Sequence, residues 1–203
     1  MHRIPTLWAL HKVHHSAETL NPITIYRTHP LEGIIFTLRA SFAQGIAIST
    51  FFFLFGNKVD LFTVLGANIF IFIFNVAGSN LRHSHIYIRY WPWLEYFLIS
   101  PAQHQIHHSL EEKHYDKNFG ATLSIWDWFG GSLHHSEISK PEKLGLKGDE
   151  FKENPNIAYL YIRPIVEIFS LLQNKIKNIT NSFRKFLNFI SRAKNYIFIN
   201  KET

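Results

Sequence analysis

Two short histidine motifs carry the chemistry this sequence can do. One is His11-Lys12-Val13-His14-His15 and the other is His104-Gln105-Ile106-His107-His108. Both read H-x-x-H-H. With 13 histidines among 203 residues, chance supplies about 0.05 copies of that pattern, so two copies stand well above motif noise. The implied chemistry is metal binding. On an α-helix, positions i, i+3 and i+4 share a face, and three imidazoles there converge on an ion without bending the backbone. Two such helices facing each other offer six imidazoles, more than one tetrahedral ion takes. That number suits two ions.

The surrounding residues allow both motifs to be helical. Pro5 suits a first helical turn and is followed by TLWALHKVHH without a breaker. Ser100-Pro101-Ala102-Gln103 reads as a capping box with proline at the first helical position, starting a helix into the second motif. The remaining histidines carry a weaker signal. His29, His114, His134 and His135, taken singly, read as surface or core residues without ligand duty. His134 and His135 follow Gly130-Gly131 in a loop and are the weakest candidates. A pH-sensing role is a further use of a histidine-rich chain.

Composition narrows the class. Hydrophobic residues make up 46% of the chain and charged residues 18%, which excludes a disordered polypeptide and a coiled coil. There is no cysteine, so disulfide scaffolds, thiolate zinc fingers and thiolate-held iron–sulfur clusters are excluded. Any metal rests on imidazole or carboxylate. The net charge of +6 lies entirely beyond Gln173, where Lys175, Lys177, Arg184, Lys185, Arg192, Lys194 and Lys201 face the single acid Glu202. Basic charge confined to a tail suggests a surface-binding appendage and not a nucleic-acid-binding face.

Two apolar stretches, residues 33–55 and 61–78, are separated by Gly56-Asn57-Lys58-Val59-Asp60. Each is about long enough to cross a bilayer core of ~30 Å. They predict a transmembrane hairpin over about 33–78; the alternative is a buried helical pair in a soluble protein. Arg3, Lys12, Arg27, Arg82 and Arg89 lie on the side where both ends of the hairpin emerge. The positive-inside rule then turns the histidine motifs to the cytoplasm, with Arg39 near enough to the interface to snorkel. The segment RYWPWLEYFLIS is suited to a membrane interface. The predicted architecture is an all-α integral membrane helical bundle with a cytoplasmic, histidine-rich metal cap. It divides into residues 1–136 around the histidines, a polar loop over 137–156, and a helical tail over 157–203. In that tail Ile176, Ile179, Phe183, Phe186, Leu187 and Ile190 share one face opposite the basic residues. Such a helix lies on an anionic membrane or packs on the body with a solvated basic face.

LWALHKVHHS (7–16), RTHPLE (27–32), RHSH (82–85), LEYFLISPAQHQIHHS (94–109) and DKNFGATLSIWDWFGG (116–131) together resemble the membrane fatty acid hydroxylase/sterol desaturase superfamily over residues 2–131. The resemblance implies a di-iron centre held by three histidine boxes. Carried over residue by residue, it gives His2, His11, His14, His15, His83, His104, His107 and His108 as metal ligands. Asp116, Asn118 and Asp127 match a downstream motif and are expected to orient imidazoles. His85 stands where relatives often have asparagine and is left out. The implied reaction is hydroxylation or desaturation of a fatty acyl or sterol-like lipid, using O₂ and electrons from a separate donor protein. Zinc is a possible substitute for the two irons, because it binds imidazole at least as well.

His2 matches the second histidine of the family's H-x-x-x-H first box, whose first histidine and preceding membrane helices would lie before Met1. The expectation is a start at the wrong methionine, a gene fragment, or a truncated, catalytically inactive membrane remnant. A third reading, a metal-dependent hydrolase or zinc-binding module, lacks H-E-x-x-H and an acid placed as general base within either triplet.

Overall fold

The computed structural model describes residues 1–58, 69, 72–73, 78, 80–148, 151 and 156–199, without the side chains of 57, 80 and 191–199. Five helices frame the described residues: α1 (Pro5–His15), α2 (Pro30–Phe55), α3 (Pro101–His107), α4 (Ile125–Gly130) and α5 (Ile157–Ile199). Single turns at Pro22–Tyr26, Asn80–Arg82, Leu94–Tyr96 and Glu112–His114 link them. No strand occurs among the described residues; isolated bridges at Leu98–Leu123 and Ser109–Leu144 tie neighbouring loops.

The two motif-bearing helices are short and start as their sequences dictate. Pro5 opens α1, where a missing N–H costs nothing. Its end is fastened by Arg27, whose guanidinium donates to the Val13 carbonyl and to Ser16 Oγ at 2.8–3.1 Å. Ser100 opens α3 with a complete capping box: its hydroxyl accepts from the Gln103 N–H at 3.1 Å, and Gln103 Oε1 accepts from the Ser100 N–H at 3.0 Å. The Ser100 hydroxyl also donates to the buried carboxylate of Glu95, which in turn accepts from the Ser136 N–H. Thus α3 is anchored at its start to a network that reaches the far side of the body.

Helix α2 is different in kind. Its 26 residues span about 39 Å at 1.5 Å per residue, and among the described residues it is the one helix long and apolar enough to cross a membrane. Its side chains find almost no protein cover: Leu38, Phe42, Phe53 and Leu54 are all more than 60% exposed. Only Glu32, in the first turn, is buried. His29 caps this helix by accepting from the Leu31 N–H at 3.1 Å, while its Nε2 donates to the Tyr161 carbonyl at 2.8 Å. That fully partnered capping role accounts for His29 without a metal. The second arm of the expected hairpin lies largely outside the described residues.

Helix α5 runs past α1, joined to it by a Lys12–Glu167 ion pair. Its start therefore packs on the body. Beyond it, the predicted apolar stripe stays open, with Ile176, Ile179, Phe183 and Phe186 each more than half exposed.

The interior is small and polar. Ala9, Leu10, Val13, Leu20, Ala102 and Ile106 are buried apolar residues, but eight histidines, Glu32, Glu95, Gln103 and Asp127 are buried as well. Such a core holds only if each polar group is partnered. Replacing Ser100 with alanine removes a cap and leaves Glu95 short of a donor, so we expect a loss of about 1–3 kcal/mol, read as a lowered thermal midpoint of the detergent-purified chain.

Candidate metal centre

The two H-x-x-H-H helices meet through their histidines, and the ligand atoms sort into two groups of four. His2, His11, His15 and His107 form one; His14, His83, His104 and His108 form the other. Each motif is split between them in the same way. α1 sends His11 and His15, one turn apart, to the first group and His14 to the second. α3 with its C-cap sends His104 and His108, one turn apart, to the second group and His107 to the first. His2 and His83 complete the sets. The groups adjoin: the His15 and His108 rings stack with centroids 4.3 Å apart.

Contacts within the second group run through Nε2 atoms, at 3.2 Å for His14–His83, 3.0 Å for His83–His104 and 3.2 Å for His104–His108. A neutral imidazole has one N–H, so three successive contacts of this kind cannot all be ordinary hydrogen bonds. Protonation does not resolve the conflict. Burial, and then repulsion from neighbouring imidazoles, push His14, His104 and His108 far below the usual histidine range. A shared cation resolves it, because all four lone pairs can then point inward. For a bond of about 2.1 Å, neighbouring nitrogens lie about 3.0 Å apart on an octahedron and about 3.4 Å on a tetrahedron, which brackets these separations.

The first group is oriented from outside. His11 Nδ1 bonds the buried Glu32 carboxylate and His107 Nδ1 donates to the Lys117 carbonyl at 2.8 Å, so Nε2 of each is free to face an ion. His2 Nε2 lies 3.0 Å from His15 Nε2. Burial holds His15 and His2 well below the ordinary range and lowers His107 to about 4. Glu32 was not singled out from the sequence. Its signal was a lone acid in the first turn of an otherwise apolar helix, within the RTHPLE segment.

The three residues expected to orient imidazoles act one step further away. Asp127 accepts from the Phe119 and Gly120 N–H groups, both at 2.8 Å, and from the Ser132 hydroxyl. Asn118 donates to the carbonyls of Gln103 and His134 and accepts from the His134 N–H. None of these bonds reaches an imidazole ring. They shape the loop that presents the Lys117 carbonyl to His107 and sets the Phe119 ring 4.9 Å from that of His2. Asp116 is exposed and contributes a positive-φ turn. Gly120 is required for steric reasons: a Cβ there would lie 2.5 Å from the Leu123 carbonyl oxygen and 2.7 Å from Asp127 Oδ2.

A cavity of about 980 Å³ opens onto both groups. Its histidine floor faces walls of Ile25, Phe36, Leu123 and Trp126, with Arg39 and Arg82 also lining it. The Arg82 Nε and Glu32 Oε2 atoms are buried without a hydrogen-bond partner. The cavity therefore combines polar anchors with an apolar wall continuous with α2.

The depressed histidines set a pH dependence for the metal-free fold. Above about pH 6.5 they are neutral whether folded or unfolded. As pH falls below that value the unfolded chain takes up protons that the folded core refuses, so stability drops toward pH 4, by about 1.4 kcal/mol per group per pH unit. The metal-stripped protein should melt several degrees lower at pH 5.5 than at pH 7.5; an equal or higher midpoint at pH 5.5 contradicts a neutral histidine core.

The family model described as fatty acid hydroxylase matches residues 1–132. Alkylglycerol monooxygenase of Homo sapiens is 28% identical over 132 residues, covering 65% of this chain and 26% of its own length. Ornithine lipid hydroxylase OlsE of Rhizobium tropici is 27% identical over 151 residues, covering 72% and 40%. Very-long-chain aldehyde decarbonylase GL1-1 of Oryza sativa subsp. indica is 25% identical over 178 residues, covering 84% and 26%. The chain thus spans between about a quarter and two fifths of these relatives' lengths. No solved structure matches it. With the match extending over well more than half of the sequence and enclosing every residue of both histidine groups, the chain belongs to the fatty acid hydroxylase family.

Proposed function

We propose that this chain is the catalytic part of a membrane-bound di-iron oxidoreductase that hydroxylates or desaturates a lipid. The observation that carries the reading is the pair of four-histidine groups opening onto a cavity with an apolar wall. His2, His11, His15 and His107 would hold one iron, and His14, His83, His104 and His108 the other. Bound there, two irons supply the oxidation of an unactivated C–H bond by O₂. Hydroxylation balances as R–H + O₂ + 2e⁻ + 2H⁺ → R–OH + H₂O, so two electrons must arrive from a separate donor protein.

The chain's own residues do the positioning. Glu32 and the Lys117 carbonyl fix the imidazole tautomers of His11 and His107. Ile25, Phe36, Leu123 and Trp126 offer an apolar wall for an acyl or alkyl chain and keep water from the reacting carbon. Arg39 and Arg82 supply positive charge where a polar headgroup would rest. The names of the relatives concern an alkylglycerol, an ornithine lipid and a very-long-chain aldehyde, which supports a lipid substrate with a long chain and a polar group.

In this reading α2 would cross the bilayer as one arm of a hairpin, and the basic residues near its start favour a cytoplasmic side for the histidines under the positive-inside rule. The exposed Trp91, Trp93, Trp126 and Trp128 suit the level of the headgroups, and the open face of α5 suits the membrane surface.

The direct test is iron content and turnover of the full chain in lipid nanodiscs, with a chemical reductant and isotopically labelled O₂. We expect two or more irons per chain and a lipid product carrying labelled oxygen or a new double bond, with His14→Ala and His108→Ala each losing iron and all product. Iron below one per chain defeats the proposal, and an inactive remnant predicts bound iron without product. Glu32→Gln keeps the shape of the side chain but removes its charge from His11. It should weaken iron binding about 10-fold to 100-fold, measured by competition with a chelator.

A further inference from the structure

A third constellation of ligand atoms lies outside both histidine groups. His114, His134 and Glu137 bring one atom each to within 4.8 Å of the others. The sequence pattern does not reveal it, because the three residues come from a single turn at Glu112–His114 and from the extended segment after α4. Glu137 Oε1 lies 3.2 Å from His114 Nε2 and 3.3 Å from His134 Nε2. Around a tetrahedral zinc with bonds of about 2.0–2.1 Å, neighbouring ligand atoms sit about 3.3–3.4 Å apart. The two edges through Glu137 already have these lengths, and the third lies within 4.8 Å.

We propose that His114, His134 and Glu137 form a separate mononuclear zinc site, with its fourth position open to water. His114 is buried, whereas the side chains of His134 and Glu137 are 28% and 31% exposed, so an ion can enter from solvent and retain one water. The surroundings also suit a metal. Lys113 Nζ lies 2.8 Å from Glu137 Oε2 and 3.0 Å from Oε1. With zinc on Oε1, the lysine keeps Oε2 and holds the carboxylate in place.

The proton balance closes as well. Ser109 Oγ lies 2.9 Å from His114 Nδ1. Without metal, the serine hydroxyl can donate to Nδ1 while Nε2–H donates to Glu137. With zinc on Nε2, the proton sits on Nδ1 and Ser109 accepts it. Both states are hydrogen-bonded, so zinc enters without stranding a buried group.

The location gives such a site a use. His114 and His134 flank the loop of residues 116–131, whose Lys117 carbonyl orients His107. The backbone of His134 is already bonded to Asn118 and to Gln103 in α3. Zinc would close the base of that loop and fix the stretch of chain that presents a wall of the oxidising cavity.

The test is a difference in zinc content, independent of catalysis. The full chain and the variants His134→Gln and Glu137→Gln are purified in detergent, saturated with zinc sulfate, dialysed, and counted by mass spectrometry. Both substitutions are at part-exposed positions, and size-exclusion elution identifies folded material. Each variant should hold one zinc fewer per chain than the parent. The difference spectrum between the cobalt-loaded parent and cobalt-loaded Glu137→Gln should also show a tetrahedral visible absorption band, the histidine groups cancelling between the two. If zinc content is equal in the parent and a folded variant, the site does not exist. Failure of the di-iron reading would lower the parent and both variants alike and leave the one-ion difference intact.

Discussion

The structure depends on one constraint: imidazoles packed together out of water can neither all be protonated nor all hydrogen-bond one another. Burial and mutual repulsion keep six of the eight histidines far from their usual basicity. The Nε2 atoms of His14, His83, His104 and His108 press together at 3.0–3.2 Å, while the Nδ1 atoms of His14, His104 and His108 are buried without a partner. An apolar core of this size would be more stable without such groups. Their presence at its centre makes sense when the lone pairs meet a cation, because binding free energy then replaces the missing packing.

The repeat H-x-x-H-H takes on a sharper meaning in this geometry. Three histidines on one helical face need not serve the same ion. The two residues one turn apart point to one group, and the histidine between them points to the adjacent group. The arrangement is reciprocal, since α1 gives two ligands to the first group and one to the second, and α3 does the reverse. Two short helices therefore supply six of the eight nitrogens of two adjoining candidate sites. His2 and His83 arrive from other segments and fill the fourth positions.

Much of this was legible in the residues because it is local. Pro5, and Ser100 with Gln103, marked the helix starts, and helical periodicity put the triplets on single faces. Long-range consequences were harder to read. Glu32 bonds His11 across 21 residues, and no local pattern pairs an acid at the head of an apolar helix with a histidine in another element. Asp127 and Asn118 are expected as structural groups or as outer partners that orient imidazoles; their hydrogen bonds go to backbone groups and, for Asp127, to the Ser132 hydroxyl. A positive-φ turn at residues 116–118 and a glycine pressed against Leu123 need that scaffolding before the Lys117 carbonyl can reach His107. His114 and His134 looked dispensable one at a time, because single histidines in loops usually are. Only the fold sets their Nε2 atoms on the same carboxylate oxygen.

In the proposed reading, Glu32 also joins the apolar helix to the histidine groups. Helix α2 exposes apolar side chains along its length, so in water it would be a liability, and in a bilayer it is at home. Its first turn is where that character changes. His29 caps the helix and ties it to α5 through the Tyr161 carbonyl, and one turn later Glu32 grips His11. Phe36 and Arg39 follow on the cavity wall. A lipid chain moving along α2 out of the bilayer would therefore meet, in order, an apolar surface, a cation suited to its headgroup, and the histidine floor. A shift of α2 relative to α1 would disturb both the His11 imidazole that Glu32 bonds and the cavity wall at Phe36, so in the proposed reading substrate entry and metal geometry would be coupled through one buried carboxylate.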